Sequence, residues 1–132
     1  MQDYRKLKVW AKSHELTLAV YRATQSFPQH EAYRLTSQMR RCSSSIPSNI
    51  VEGCGRGSNP DFLRFLYVAL GSANELEYQL LLAHDLGYIA DALHLELSAG
   101  SLEVKRMLSA LIVTLKTSKR TVREPLPPPE EL

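Results

Sequence analysis

The chain has 132 residues, 44% of them hydrophobic and 23% charged, which is the size and make-up of one globular domain with a single core and excludes wholesale disorder. No uninterrupted apolar run approaches the roughly 20 residues that a bilayer-spanning helix needs. The net charge is only +2, yet residues 1–60 hold nine Lys/Arg against four Asp/Glu, a distribution that leans toward anionic partners.

Residues 1–6 lack the apolar segment and small-residue cleavage site of a secretion signal, so a cytoplasmic location is expected, with no membrane partner. In that reducing setting Cys42 and Cys54 read as free packing residues. They are twelve apart, with no CxxC and no nearby histidine pair, so neither a metal site nor any cofactor is expected.

The first predicted helix spans about 3–26. Leu7, Trp10, Ala11, His14, Leu18 and Tyr21 recur at helical spacings and form its inward stripe, and Phe27-Pro28 stops it. A second helix opens between Gln29 and Ala32 and carries Leu35, Met39, Cys42, Ile46 and Ile50. Pro47 lies inside it, removing one amide donor. A kink is expected there, with Ser43, Ser44 and Ser45 hydroxyls meeting the freed carbonyls. Gly53, Gly55 and Gly57 end this helix in the left-handed conformation glycine tolerates.

Ser58 or Asn59 caps a third helix, Pro60 fits its first turn, and Asp61 complements the positive dipole end. Its inner face is Phe62, Phe65, Leu66, Ala69, Ser72, Leu76, Leu80 and Ala83, and Gly87 stops it. Small residues Ala69, Gly71, Ser72 and Ala73 cluster mid-helix, where a glycine costs about 1 kcal/mol, which points to a close helix approach there. The fourth helix spans about 91–119, with Leu93, Leu97, Gly100, Val104, Met107, Leu108, Leu111 and Leu115 inward. Its unbroken period favours continuity through Gly100 over two shorter helices. Short connections between four amphipathic helices specify an all-α, antiparallel up-down-up-down four-helix bundle over 1–123, followed by a proline-rich extended tail at 124–132.

Convergent chemistry is scarce. His14, His30, His84 and His94 share no ligand spacing. Glu75 and Glu77 point to opposite sides of a helix and cannot act as a pair. Ser43–Ser45 lack a nucleophile elbow, and Gly53-Cys54-Gly55-Arg56-Gly57 lacks the Lys-Ser/Thr of a phosphate loop and follows a helix. No enzyme is expected. The cations are more informative: Lys8, Lys12, Arg34, Arg40, Arg41 and Arg56 on one side, and Lys116, Lys119, Arg120 with Arg123 at the end of the last helix, are candidate nucleic-acid contacts. Solvated faces and dipole complementation would also account for them.

The run Gln38-Met39-Arg40-Arg41-Cys42-Ser43-Ser44-Ser45-Ile46-Pro47-Ser48-Asn49-Ile50-Val51-Glu52-Gly53, followed by Arg56, resembles the signature of the 23S rRNA intervening-sequence proteins. Leu7-Lys8-Val9-Trp10-Ala11, Val20-Tyr21, Phe27-Pro28, Glu31, Tyr33, Leu35, Ala69-Leu70-Gly71-Ser72, Glu75 and Leu86-Gly87-Tyr88 extend the likeness to residues 4–119. Arg34 departs from the usual glycine, which implies a stiffer helix start, and Cys42 replaces a small residue. The resemblance implies a four-helix bundle and, through a relative, the accessory variability determinant of diversity-generating retroelements, a homopentameric ring that engages RNA, DNA or reverse transcriptase. It also implies that the region of Arg40, Asn49, Glu52 and Arg56, with Ser72 and Glu75, helps hold helices or subunits together. Val9, Leu16, Val20, Leu63, Leu70 and Leu81 fall beside the main stripes and are expected in part at the surface of a monomer, which supports a homo-oligomer independently. A protein-interaction scaffold without nucleic acid is the alternative reading.

Overall fold

A computed structural model of the chain describes residues 3–120, with the backbone alone for 118–120. A 3-10 turn at Tyr4–Lys6 leads into α1 (Lys8–Thr24), and a second at Gln29–Glu31 precedes α2 (Leu35–Cys54). Then follow α3 (Asn59–Asp85) and α4 (Asp91–Arg120), with no strand among the described residues. Each helix packs on the next and α4 closes on α1. Two contacts along each pair run in opposite directions and give the antiparallel sense: Thr17 to Ser43 with Thr24 to Arg40, Ser45 to Ser72 with Gly53 beside Phe62, Glu77 to Lys105 with His84 to Asp91, and Lys12 to Glu103 with Leu16 beside Gly100. The expected all-α bundle is what forms. The expected boundary at 123 and the tail at 124–132 lie outside the described residues.

The ends of α3 follow from local chemistry. Ser58 Oγ accepts the Asp61 amide at 3.4 Å, Pro60 sits in the first turn, and Asp61 is its acidic residue. At the other end Gly87, at φ 79°, lets the Tyr88 amide reach Ala83 O and the Gly87 amide reach His84 O, both at 2.9 Å. That pair of reversed bonds is a Schellman close, and it needs a residue that tolerates positive φ. Helix α4 runs unbroken through Gly100, where an added Cβ would sit 3.4 Å from Leu16 Cδ1, so the glycine admits α1 at close range.

Helix α1 departs from expectation in extent and in face. The Asp3 carboxylate accepts the Arg5 amide and closes a short 3-10 turn, Leu7 is extended, and the α-helix starts only at Lys8. Its buried side is Val9, Ser13, Leu16, Thr17, Val20 and Thr24, with Leu7 before it. Of the expected inward stripe, Trp10 and Ala11 are half-buried while His14, Leu18 and Tyr21 are exposed. The wrong stripe looked apolar because the true one contains three hydroxyls. Each meets a carbonyl of the preceding turn: Ser13 donates to Trp10 O, Thr24 to Val20 O, and Thr17 shares its one proton between Ser13 O and Ser43 O of α2. A back-bonded Ser or Thr is thereby buried without an orphan donor. Val9, Leu16, Val20 and Leu63, expected in part at the surface, are therefore core residues, whereas Leu81 is exposed.

Helix α2 is continuous across Pro47, but the serines do not meet the carbonyl it frees. Ser43 Oγ and Ser44 Oγ donate to the carbonyls of Arg40 and Arg41, and Ser45 turns to Ser72. The carbonyl left without its i+4 amide is that of Ser43, and it accepts Thr17 Oγ1 from α1 at 2.9 Å, in a buried setting. The helix ends at Cys54, and Gly55 stays right-handed at φ −79°, contrary to the left-handed close expected. Gly53 serves packing instead: a Cβ there would lie 2.7 Å from Phe62 Cδ1. Arg34 is the residue before α2, outside helical backbone angles, so it does not stiffen the helix start. At the small-residue cluster of α3 a close approach is made by the neighbours of Gly71, since Ala69 and Ala73 are fully buried and Ser72 meets Ser45 of α2 at 2.9 Å, while Gly71 itself is exposed with nothing within 4 Å of an added Cβ.

Candidate nucleic-acid interface

The up-down-up-down order gathers the start of α1, the end of α2, the start of α3 and the end of α4 at one end of the bundle. Six cations lie there: Arg5, Lys6, Lys8, Arg56, Arg64 and Lys116. Three carboxylates accompany them, and each is committed to an arginine. Asp3 pairs with Arg5 at 4.0 Å, Glu52 with Arg56 at 2.8 Å and Asp61 with Arg64 at 3.7 Å. Lys6, Lys8 and Lys116 have no carboxylate partner among the described residues. Aromatic rings lie beneath four of the cations: Arg5 over Tyr4, Arg56 and Arg64 over Phe65, and Lys116 over Tyr67, at 4.6 to 5.4 Å from the ring centroids. The rings orient the charges and exclude water from one side of them. Arg5, Lys6 and the Arg64–Phe65 pair form no cation run in the sequence, because these groups converge only through topology.

The other nominated cations lie apart. Lys12 is at mid-bundle, 4.0 Å from Glu15 and 3.9 Å from Glu103. Arg34 and Arg41 are exposed toward the opposite end. Arg40, at that end too, is turned inward on α1: its Nε donates to Thr24 Oγ1 at 2.8 Å, its Nη2 to Tyr21 O at 3.3 Å, and its guanidinium lies over the Tyr21 ring. It closes the carbonyl end of α1, where a cation also complements the dipole. Nothing is described of the side chains of Lys119 and Arg120.

Of the residues nominated as structural, Ser72 makes a hydrogen bond across the α2–α3 seam and Asn49 adjoins it. Asn49 Nδ2 donates to Ser45 O at 2.7 Å and lies 3.0 Å from Ser45 Oγ, which pairs with Ser72 Oγ across the α2–α3 seam at 2.9 Å. The Cys42 thiol donates to Ser72 O at 3.5 Å. Glu75 accepts from Gln79 on its own helix, and Glu52 pairs with Arg56 beyond the end of its helix. A shallow recess of about 220 Å³ opens between Gln38, Arg41, Cys42, Ser45, Ser72 and Glu75. It does not arm the thiol: burial, then Glu75, push the Cys42 pKa up to about 12, and burial pushes Cys54 up to about 11. Both thiols are thus held in the protonated, less nucleophilic form at neutral pH.

The far end of the bundle holds a histidine cluster. His84 Nε2 lies 2.6 Å from Asp91 Oδ1 and its Nδ1 lies 3.4 Å from Asp85. The ring stacks on His94 with centroids 4.3 Å apart. Nearby, Tyr88 OH donates to Glu31 at 2.8 Å, which holds the Glu31 carboxyl below its ordinary pKa and raises that of Tyr88. Among the described residues no group of three or more His, Cys, Asp or Glu is arranged to hold a metal ion. No described helix is long and apolar enough to cross a membrane.

No curated protein matches the sequence. A solved structure is similar, that of a protein of unknown function from the S23 ribosomal protein family of Bacteroides thetaiotaomicron. It has a TM-score of 0.74 and 29% identity, over 80% of this chain and 96% of that one. Residues 5–110 match the family described as 23S rRNA-intervening sequence protein, and that span contains the α2 signature, the Ser45–Ser72 tie and the Gly87 close. The chain belongs to the 23S rRNA-intervening sequence protein family.

Proposed function

We propose that the chain is a cytoplasmic, non-enzymatic binding protein that self-associates and contacts nucleic acid, or an enzyme working on nucleic acid, through its cation-rich end. The observation that carries this reading is the imbalance at that end: three carboxylates are taken up by Arg5, Arg56 and Arg64, which leaves Lys6, Lys8 and Lys116 uncompensated. The sequence continues into Lys119, Arg120 and Arg123. Surfaces of this kind bind phosphate backbones by releasing counterions. The family's description, which refers to intervening sequence in 23S rRNA, makes structured RNA the first ligand to try. No group of catalytic type converges with these cations, which favours binding over turnover.

Fluorescence-anisotropy titrations with structured RNA and with duplex DNA, between about 50 and 200 mM salt, test the reading. Affinity falling steeply with salt is the expected result. Absence of binding at the lowest salt overturns it and leaves the second reading, a scaffold for protein contacts alone, which the exposed apolar side chains favour.

A further inference from the structure

The lysines left without a carboxylate and the acids that follow the bundle in sequence lie on two sides of one junction, the end of α4. At the cation-rich end Asp3, Glu52 and Asp61 are committed to Arg5, Arg56 and Arg64, and no carboxylate among the described residues pairs with Lys6, Lys8 or Lys116. Beyond α4, residues 121–132 hold Glu124, Glu130 and Glu131 against one cation, Arg123.

The lengths match as well as the charges. The Lys12–Glu103 pair at 3.9 Å sets the register of α1 against α4, so Lys8, one turn earlier, stands level with about residue 107 of α4. Arg120 lies roughly 20 Å farther along at about 1.5 Å per residue, with Lys116 one turn short of it. Between Glu124 and Glu130 stand Pro125, Pro127, Pro128 and Pro129, a sequence that favours polyproline II at about 3.1 Å per residue. Ten residues from Arg120 to Glu130 then reach about 31 Å, enough to return to Lys8. The same stiffness keeps Glu130 and Glu131 from folding onto Arg123, so their charge is free for another partner.

We infer that the acidic segment after α4 folds back on the cation-rich end of its own chain and closes it to nucleic acid, Glu130 and Glu131 meeting Lys6 and Lys8 while Glu124 meets Lys116. This rests on that end being the face proposed above, and adds the ligand that competes for it. Each ion pair is weak and screened by salt, but the tether holds the carboxylates at an effective concentration of about the millimolar range. Isolated anions at lower concentration are thereby kept out. A nucleic acid, which presents a dense row of phosphates and releases counterions as it binds, displaces three carboxylates.

The test runs on the full-length chain. A zero-length carbodiimide joins a carboxylate to an amine only where the two touch. It should link Glu130 or Glu131 to Lys6, Lys8 or Lys116, as mapped by peptide mass spectrometry, and the links should disappear as salt is raised. When isotope-labelled and unlabelled chains are refolded together, the links should stay within one label; links joining the two labels mean that the segment serves a neighbour and overturn the inference. In anisotropy titrations with structured RNA at about 50 mM salt, the triple variant Glu124→Gln, Glu130→Gln, Glu131→Gln should bind about two- to tenfold more tightly than the wild type, with the gap closing near 200 mM. Unchanged affinity overturns the inference. So does a gain in affinity without any of these cross-links, because a smaller negative charge suffices for that. If neither chain binds RNA, the function proposed above fails, while the cross-links still decide whether the segment docks.

Discussion

Thr17 is a one-atom answer to a problem set thirty residues away. Its hydroxyl is the only described donor to the Ser43 carbonyl that Pro47 deprives of its amide. Thr17→Val, which keeps the shape and removes the donor, should cost about 1–3 kcal/mol, because a buried carbonyl is then left unsatisfied. Chemical denaturation of Thr17→Val, Pro47→Ala and the double variant checks this. The alanine amide can bond Ser43 O within the helix, so the threonine loss should be smaller in the Pro47→Ala background. Equal losses in both backgrounds would mean that the Thr17 hydroxyl contributes independently of Pro47, through its bond to Ser13 O.

Two glycines separate at the same scale. Gly53→Ala forces a Cβ to 2.7 Å from the Phe62 ring, and overpacking of this kind costs about 1–3 kcal/mol. Gly71→Ala meets open space and removes a helix penalty, so thermal melts should show stabilisation of about 0.5–1 kcal/mol.

At the scale of the element, the junction of α3 with α4 is closed by Gly87 and clasped by His84 on Asp91. The Asp91 hydrogen bond, followed by that of Asp85, raises the His84 pKa above the ordinary imidazole value. A raised folded pKa contributes stability that is fully present below the unfolded value of about 6.5 and is lost as pH rises through the folded one. Melting temperatures of the wild type and His84→Gln should thus differ most near pH 5.5 and converge toward pH 8. A gap that does not vary with pH would show that the imidazole contributes only its packing on His94.

Legibility in the sequence varied with how local the determining physics is. The caps and stops of α3, the continuity of α4 and the inner faces of both were readable, since Ser58, Pro60, Gly87 and a leucine stripe act within a turn or two. The inner face of α1 was not, because burial of Ser13, Thr17 and Thr24 depends on back-bonding and on one carbonyl of α2. The stripe that hydropathy picks out there instead faces outward. Likewise a charge count alone nominates Arg40 as a nucleic-acid contact; the resemblance implies a role in holding helices, and the tertiary placement supplies its partners at the end of α1.

For the whole molecule, Lys6, Lys8 and Lys116 lie at one end and Arg40 toward the other, and the prediction for binding divides with them. Replacing Lys6, Lys8 and Lys116 together by Ala should weaken RNA affinity across sequences and lower the slope of log affinity against log salt by about one per lost phosphate contact. Arg40→Ala should instead lower the melting temperature and leave that slope unchanged, because its donors already serve Thr24 and Tyr21. The reverse pattern in these two measurements would move the interface to the opposite end of the bundle.

The proline in α2 also says something about how the chain comes together. Most helices can complete their backbone bonding before they dock, but α2 leaves Ser43 O open until α1 arrives with Thr17. The two helices should therefore open and close as one cooperative unit, with amides of the Pro47 region exchanging with solvent on the same timescale as the buried turns of α1 around Ser13 and Val20. A fragment lacking α1 would inherit a helix whose middle turn prefers water, while α3 and α4, closed at their shared turn by Gly87, depend on no such loan from another part of the chain.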